Sequence, residues 1–215
     1  MDKRDYNPNE IHRALLADNS KYKLLIAGHD FGKTALLAQW ISKFDAPGVR
    51  SIWFAIGKEQ HNATYVQEFS SKFFGVKRKT EYGNLRILLW PNGMETWLLN
   101  RKTRHFDNYG LNRTEILAVA LDDAGHYSEG FFRTMLPHIN YDANIFIASC
   151  VTKNNSFREF VFELAPKLDY KTYTYTSFDA NPYNLSDEEF KHRIEEWKLV
   201  MPPDMYRREV LSQWD

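Results

Sequence analysis

The segment Ala27–Ala35 combines residue types that bind phosphate. Glycines at 28 and 32 keep side chains out of the loop, so that successive backbone N–H groups turn toward phosphate oxygens. Lys33 supplies a cation for the β- and γ-phosphates, and the Thr34 hydroxyl is a ligand for Mg²⁺. The pattern predicts a nucleotide triphosphate site whose binding residues are Ala27, Gly28, His29, Asp30, Phe31, Gly32, Lys33, Thr34 and Ala35.

Two adjacent carboxylates form the second chemical element. Asp122 and Asp123 end the apolar run that begins at Ile116, which indicates a buried strand. The carboxyl edge of a parallel sheet is where ligands of α/β proteins bind, and unpaired buried charge is costly. We therefore expect Asp122 to hold Mg²⁺ with Thr34. Asp123 would orient and deprotonate the attacking water, although the usual residue at its position is Glu, one methylene longer.

The elements around these residues predict an α/β fold. The apolar run 23–26 precedes the phosphate-binding segment and an amphipathic run at 35–41 follows it, which indicates a strand that passes into a helix. Further buried strands are expected at 51–56 and 144–149, and a helix at 61–74. Runs 85–90 and 94–99 flank Pro91-Asn92-Gly93, which predicts an antiparallel hairpin insertion. The prediction is a mostly parallel central sheet flanked by helices.

Composition limits the other possibilities. The chain has 215 residues, 28 Lys+Arg and 28 Asp+Glu, so no overall basic field indicates a nucleic-acid-binding protein. Basic clusters at 77–79 and 101–105 either neutralise a phosphate backbone or are ordinary solvated charge, and the sequence leaves both open. A single cysteine indicates a reducing compartment. No apolar run approaches membrane-spanning length, so we expect a cytosolic protein without a membrane partner.

Three further segments have possible roles at the site. Hydroxyls and a thiol after the 144–149 strand would sense the γ-phosphate and couple it to the next helix. These coupling residues are Ser149, Cys150 and Thr152. Ser156 with Glu159 predicts the cap of that helix. Near the N-terminus, Tyr6, Pro8 or His12 either lie beside the adenine or cover the sheet edge.

The order of these elements resembles the ATPase domain of the large terminase subunit, the motor that packages DNA into tailed-phage heads. The resemblance rests on segments 27–34, 117–124 and 148–152, on Asp179–Leu185 with its Asn-Pro turn, and on Met205–Leu211. It implies a P-loop NTPase of the additional-strand type, with an ATPase core at 1–180 and a small C-terminal helical lid at 181–215. Ser186 and Glu189 predict a capping box in that lid, with Phe190, Ile194 and Trp197 facing inward.

The resemblance also implies function. The chain would hydrolyse ATP with Mg²⁺ to drive double-stranded DNA into a procapsid, in the host cell cytoplasm. Its partners would be the portal, the small terminase subunit and further copies in a ring, with a monomer expected in isolation. Lys33, Asp123 and His29 would be catalytic, and Arg207 or Arg208 would add positive charge. The family's nuclease domain would begin where this sequence stops, so no nuclease activity is expected.

Two alternatives remain. His29 stands where many terminases have an arginine, and Asp123 replaces a glutamate, so a nucleotide-binding switch or assembly module with little turnover is one alternative. A DNA-dependent ATPase of the helicase or recombination type is the other, because it shares both phosphate-site motifs.

Overall fold

The computed structural model describes residues 8–55, 59–82, 85–99, 116–127, 131–134, 142–182 and 185–214. Within these residues, eight strands form one sheet in the order β3-β4-β5-β2-β6-β7-β1-β8. The strands are β1 (Tyr22–Ala27), β2 (Arg50–Ala55), β3 (Lys77–Tyr82), β4 (Leu85–Leu89), β5 (Glu95–Leu99), β6 (Ile116–Asp122), β7 (Asn144–Ser149) and β8 (Lys171–Tyr175).

The sheet is mostly parallel, as the sequence predicts. Parallel pairing joins β5, β2, β6, β7, β1 and β8, whereas β3 and β4 pair antiparallel to their neighbours. The central strands β1, β6 and β7 are nearly continuous apolar runs because helices cover both of their faces. As a result β1, which leads into the phosphate-binding segment, is separated from β6 by a single strand, β7.

The predicted hairpin is present, and it belongs to the central sheet. Strands β4 and β5 pair antiparallel, and the Met94 carbonyl accepts a hydrogen bond of 2.9 Å from Trp90 N–H across the turn. Strand β5 then pairs in parallel with β2, so the hairpin widens the sheet instead of projecting from it. The first basic cluster, 77–79, lies on the edge strand β3. The second cluster, 101–105, lies outside the described residues.

Helices cover the two faces of the sheet. They are α1 (Glu10–Ala17), α2 (Lys33–Ser42), α3 (Glu59–Phe74), α4 (Phe131–Thr134), α5 (Asn155–Glu159), α6 (Ala165–Lys167), α7 (Asp187–Val200) and α8 (Pro203–Glu209). A π-helical segment, Phe160–Leu164, joins α5 to α6. Helices α1 to α3 pack in one apolar cluster with Leu25 of β1, while α4 and α5 pack in the opposite cluster with Leu24. No helix in the described part of the chain has the length and apolar character needed to cross a membrane.

The C-terminal helices α7 and α8 form a third, smaller cluster. The predicted capping box is present, with Ser186 Oγ accepting from Glu189 N–H at 3.3 Å and the Glu189 carboxylate accepting from Ser186 N–H at 2.9 Å. Phe190 and Ile194 are buried against residues of α8 and its end, and Trp197 packs at their border. The capping box thus fixes the start of the helix whose inner face carries this cluster.

A buried polar cluster in the sheet provides a test of the fold. Thr96 is fully buried, and its Oγ1 lies 2.6 Å from both Ser51 Oγ and the Trp90 indole nitrogen, which donates to it. Thr96→Val keeps the shape but leaves the indole N–H without an acceptor, so we expect unfolding free energy to fall by about 1–3 kcal/mol. Urea unfolding measures this. The control, Thr172→Val on exposed β8, should change it by less than about 0.5 kcal/mol. Equal effects would contradict the assignment.

Candidate nucleotide-binding site

The predicted phosphate-binding segment lies between the end of β1 and the start of α2. Gly32 adopts φ +87°, a left-handed conformation that glycine tolerates, and α2 begins at the next residue. Gly28 is required for another reason. A Cβ atom there would lie 2.3 Å from Ser177 Oγ and 2.5 Å from the Val210 carbonyl oxygen. The first half of the loop is therefore pressed against the C-terminal part of the chain.

Lys33 lies inside this loop, and its side chain is directed at the loop's own carbonyls. Its Nζ donates to Ala27 O at 3.0 Å and Gly28 O at 2.7 Å, and it lies 3.3 Å from Cys150 Sγ. Burial opposes the charge, but interactions with Cys150 and with the two aspartates Asp123 and Asp122 outweigh it and raise the Lys33 pKa. Lys33 is thus a buried cation between β1 and β7.

Thr34 and Asp122 meet across the sheet edge. The Thr34 hydroxyl donates to Asp122 Oδ2 at 2.8 Å, whereas Asp122 Oδ1 is buried and finds no hydrogen-bond partner among the described residues. Burial and the nearby charge of Asp123 raise the Asp122 pKa to about 8. An unsatisfied carboxylate oxygen beside a hydroxyl fits Mg²⁺, which takes few protein ligands and completes its shell with water and phosphate. Both predicted metal ligands are therefore adjacent.

Asp123 begins the loop that follows β6. Its φ is +50°, and a short 3₁₀ turn, Ala124–His126, follows directly. The loop is tied to the segment after β7. Gly125 N–H donates to Ser149 Oγ at 2.8 Å, and the Thr152 hydroxyl donates to the Gly125 carbonyl at 3.0 Å. The three predicted coupling residues thus lie at the site, with Cys150 against the Lys33 ammonium and the other two against the loop that carries Asp123.

Asn154 is a residue of this site that sequence reasoning missed. Its amide donates to the carbonyls of Gly125 at 3.0 Å and Tyr127 at 2.6 Å. Its side-chain oxygen accepts from the N–H groups of Ser156 and Phe157, so Asn154 is the cap of α5, and the prediction of Ser156 as the cap was wrong. Asparagine is a strong N-cap residue, so the sequence held the signal for the cap but not for the contacts with the β6 loop.

Two loop residues contact the C-terminal helices. His29 Nε2 lies 2.6 Å from a carboxylate oxygen of Glu209, and His29 N–H donates to the Glu209 carbonyl at 2.7 Å. The Asp30 carboxylate receives both Nε and Nη2 of Arg193, each at 2.9 Å. The arginine that the structure places on this loop is therefore Arg193 of α7, which sequence analysis did not select.

The arginines suggested by sequence lie elsewhere on α8. Arg208 is buried and donates to Asp204 at 2.9 Å, and Asp204 also pairs with Lys153 at 2.9 Å. Arg207 is exposed. The ionic cluster of Arg208 therefore connects α8 to the segment after β7, and the charge at the phosphate-binding loop comes from α7.

The residues suggested for the adenine side have separate positions. Tyr6 lies outside the described residues, and the Pro8 carbonyl accepts from Arg13 at 2.7 Å. His12 is fully buried beneath the loop, where its Nε2 lies 2.8 Å from the Phe31 carbonyl oxygen. Burial outweighs this hydrogen bond and lowers the His12 pKa to about 4. His12 thus supports the phosphate-binding loop from the α1 side.

Asn154 joins two elements, and its removal should affect both. Asn154→Ala takes away the cap of α5 and two hydrogen bonds to the β6 loop, so we expect unfolding free energy to fall by about 2 kcal/mol in urea titrations. The matched control is the exposed neighbour, Asn155→Ala, for which the expected change is below about 0.5 kcal/mol. A similar loss in both variants would show that the contacts of Asn154 contribute nothing specific.

His12 should make stability depend on pH. The unfolded chain binds a proton near pH 6.5 and the folded chain only near 4, so stability falls as pH drops through this range and is constant above it. Between about pH 7 and about pH 4.5 the loss attributable to His12 is about 2–3 kcal/mol. His12→Gln should remove this part of the slope in urea unfolding. The exposed control, His192→Gln, should keep it, and a slope unchanged by His12→Gln would disprove the assignment.

Comparisons of sequence identify no relative. No protein-family model matches the chain. No curated protein matches it either. Any relationship to known proteins therefore has to be sought in the fold.

Solved structures of phage large terminases share this fold. The Large Terminase ATPase domain of Thermus phage P74-26 matches with a TM-score of 0.66 and 15% identity, over 98% of this chain and 95% of that one. The large terminase of a second, thermophilic bacteriophage matches with a TM-score of 0.74 and 14% identity, over 97% of this chain and 54% of that one. The same terminase in complex with ATP-gamma-S gives a TM-score of 0.71 at 15% identity, over 97% and 53%.

The chain thus corresponds to nearly the whole P74-26 domain and to about half the length of the second phage's terminase. Its fold is that of the ATPase domain of phage large terminases, which confirms the resemblance seen in the sequence.

Proposed function

We propose that this chain is an ATPase of the P-loop class, additional-strand type, and that it acts as a DNA-packaging motor domain. The observation that carries the proposal is the Thr34–Asp122 hydrogen bond beside the buried Lys33 ammonium. It joins the carboxyl ends of β1 and β6. The strand order supports the class, because the additional strand β7 lies between the strand that precedes the phosphate-binding loop and the strand that ends in the acidic pair.

The residues divide the work by position. Lys33 and the N–H groups at the start of α2 would bind the phosphates of ATP, and Thr34 with Asp122 would hold Mg²⁺, which neutralises charge on the transferred phosphoryl group. Asp123, in the loop after β6, would orient the attacking water and accept its proton. Ser149 and Thr152 hold that loop through Gly125, so they would fix where Asp123 stands.

The same contacts provide a path from the site to the rest of the chain. Asn154 contacts the Asp123 loop with its amide group and caps α5 with its oxygen. A movement of the loop during hydrolysis would therefore be transmitted directly to the start of α5. Such a coupling is what a motor requires, since ATP turnover has to move a segment that bears on the DNA.

The biological role rests on the fold. The neighbours are ATPase domains of large terminases, and we infer that this chain drives double-stranded DNA into a procapsid in the host cytoplasm. It would act in a ring of identical subunits, with the portal and the small terminase subunit as partners. The basic residues of the edge strand β3 are exposed and could take part in contacts with DNA phosphates.

A second candidate is a nucleotide-binding switch with little turnover. The specific observation behind it is the contact of His29 with the Glu209 carboxylate, which occupies the side chain that stands at the position of the terminase arginine. The shorter carboxylate of Asp123 also favours this candidate. Such a module would bind ATP and Mg²⁺ through Lys33, Thr34 and Asp122 without efficient hydrolysis.

Phosphate release from ATP and Mg²⁺, with and without double-stranded DNA, tests the proposal. We expect Asp123→Asn to reduce turnover by about a hundredfold or more while ATP affinity changes little, because a general base contributes to the transition state and not to binding. Asp123→Glu should retain or raise turnover. Asp169→Asn is the matched control, since Asp169 is exposed and has a similar backbone angle, φ +59° against +50°.

The outcomes separate the two candidates. Turnover that Asp123→Asn abolishes, and that Asp169→Asn leaves intact, supports the motor ATPase. ATP binding without turnover in the native chain, with turnover restored by Asp123→Glu, supports the switch. Failure to bind ATP at all would overturn both.

A further inference from the structure

Arg193 and Asp30 form a charge-assisted contact between α7 and the phosphate-binding loop. Two guanidinium nitrogens lie 2.9 Å from the same Asp30 oxygen, and the residues are 163 positions apart in sequence. Asp30 has a φ of +55°, which places it in the tight part of the loop before Gly32. The contact therefore holds a side chain of a C-terminal helix at the loop that would surround the phosphates.

The Asp30 carboxylate faces the phosphate site. Burial raises the pKa of the Tyr65 hydroxyl, and the charges of Asp122 and Asp30 raise it further, so both carboxylates act on one group. Asp122 lies at the metal position described above. Tyr65, on α3, thus lies between the metal side of the site and the Asp30 side. The guanidinium bound to Asp30 is therefore at the rim of the same cavity.

A triphosphate would change the balance at this contact. It brings several negative charges close to the Asp30 carboxylate, which repels them, and to the Arg193 guanidinium, which they attract. Arginine binds phosphate oxygens through paired N–H donors as readily as it binds a carboxylate. Because the side chain is long and 38% exposed, it is able to exchange one anion for the other without displacing α7.

We propose that Arg193 is a nucleotide-binding residue whose guanidinium leaves the Asp30 carboxylate for the terminal phosphate when ATP binds. This inference rests on the proposed function and adds to it a ligand contact from α7. Asp30 and Arg193 then have opposite effects. Arg193 attracts the terminal phosphate, while Asp30 competes with that phosphate for the guanidinium and repels it.

An ion pair that only anchors α7 makes a different prediction. In that case Asp30 and Arg193 stabilise the same contact, so removing either one has the same consequence for the loop. ATP and ADP would also be affected alike, because an anchor does not distinguish the terminal phosphate.

Calorimetric titration with ADP and with a non-hydrolysable ATP analogue, both with Mg²⁺, tests the proposal on the full chain. Arg193→Gln should weaken the ATP analogue by roughly tenfold or more and ADP by roughly threefold or less, as expected for loss of one charge-assisted phosphate contact. Asp30→Asn should tighten the ATP analogue. The control is Lys191→Gln, an exposed cation on the same helix, which should leave both affinities unchanged. Arg193→Lys, which retains the charge, should fall between Arg193→Gln and the native chain.

Each result is decisive. Effects of opposite sign for Asp30→Asn and Arg193→Gln, larger for the ATP analogue than for ADP, support the proposal. Weakening by both variants, or equal effects on the two nucleotides, overturns it and leaves the proposed ATPase intact. A native chain that binds neither nucleotide overturns the proposed function and this inference with it. Thermal unfolding of each variant shows that it is folded, and Arg193→Lys gives the same comparison if Arg193→Gln is not.

Discussion

The site depends on a carboxylate that is kept out of water. Asp122 is 1% exposed, and only one of its two oxygens has a hydrogen-bond partner among the described residues, the Thr34 hydroxyl. Leaving a buried polar atom unsatisfied costs free energy, and the raised pKa of about 8 expresses that cost. A divalent cation would remove it by binding the free oxygen. The fold maintains an unfavourable group at the point where β1 and β6 end, which is the arrangement expected of a metal-binding site.

The sheet order makes this arrangement possible. Because β7 alone separates β1 from β6, the residues that follow these three strands meet at one edge, and each strand contributes a different group. Lys33 and Thr34 follow β1, the two aspartates end β6, and Cys150 follows β7. Hydrogen bonds from the β7 side then hold the β6 loop through Gly125. The phosphate-binding, metal-binding and coupling parts of the site therefore form one connected unit.

The sequence predicted what depends on local pattern. The phosphate-binding loop, the acidic pair, the hairpin and the capping box of α7 each have a signature within a few residues, and the structure has the elements where these signatures lie. Strand β8 was missed because its residues, Lys171–Tyr175, are largely exposed on a sheet edge and form no apolar run. Arg193 and Asn154 were missed because their partners are distant in sequence. Nothing near Arg193 indicates that Asp30 lies beside it.

These distant contacts change how the positive charge of the site is supplied. The sequence places an imidazole at position 29, where many terminases have an arginine, and Glu209 binds that imidazole from the C-terminal helices. The same helices return a guanidinium to the next residue of the loop, since Arg193 contacts Asp30. The cations near the phosphates thus come from two separate parts of the chain, Lys33 at the start of α2 and Arg193 on α7. A site built in this way is complete only while α7 is docked against the loop, because neither Lys33 nor the loop N–H groups replace the charge that Arg193 carries. The position of the C-terminal helices therefore sets the electrostatic state of the site, and any force that displaces them would act on nucleotide binding through that one ion pair.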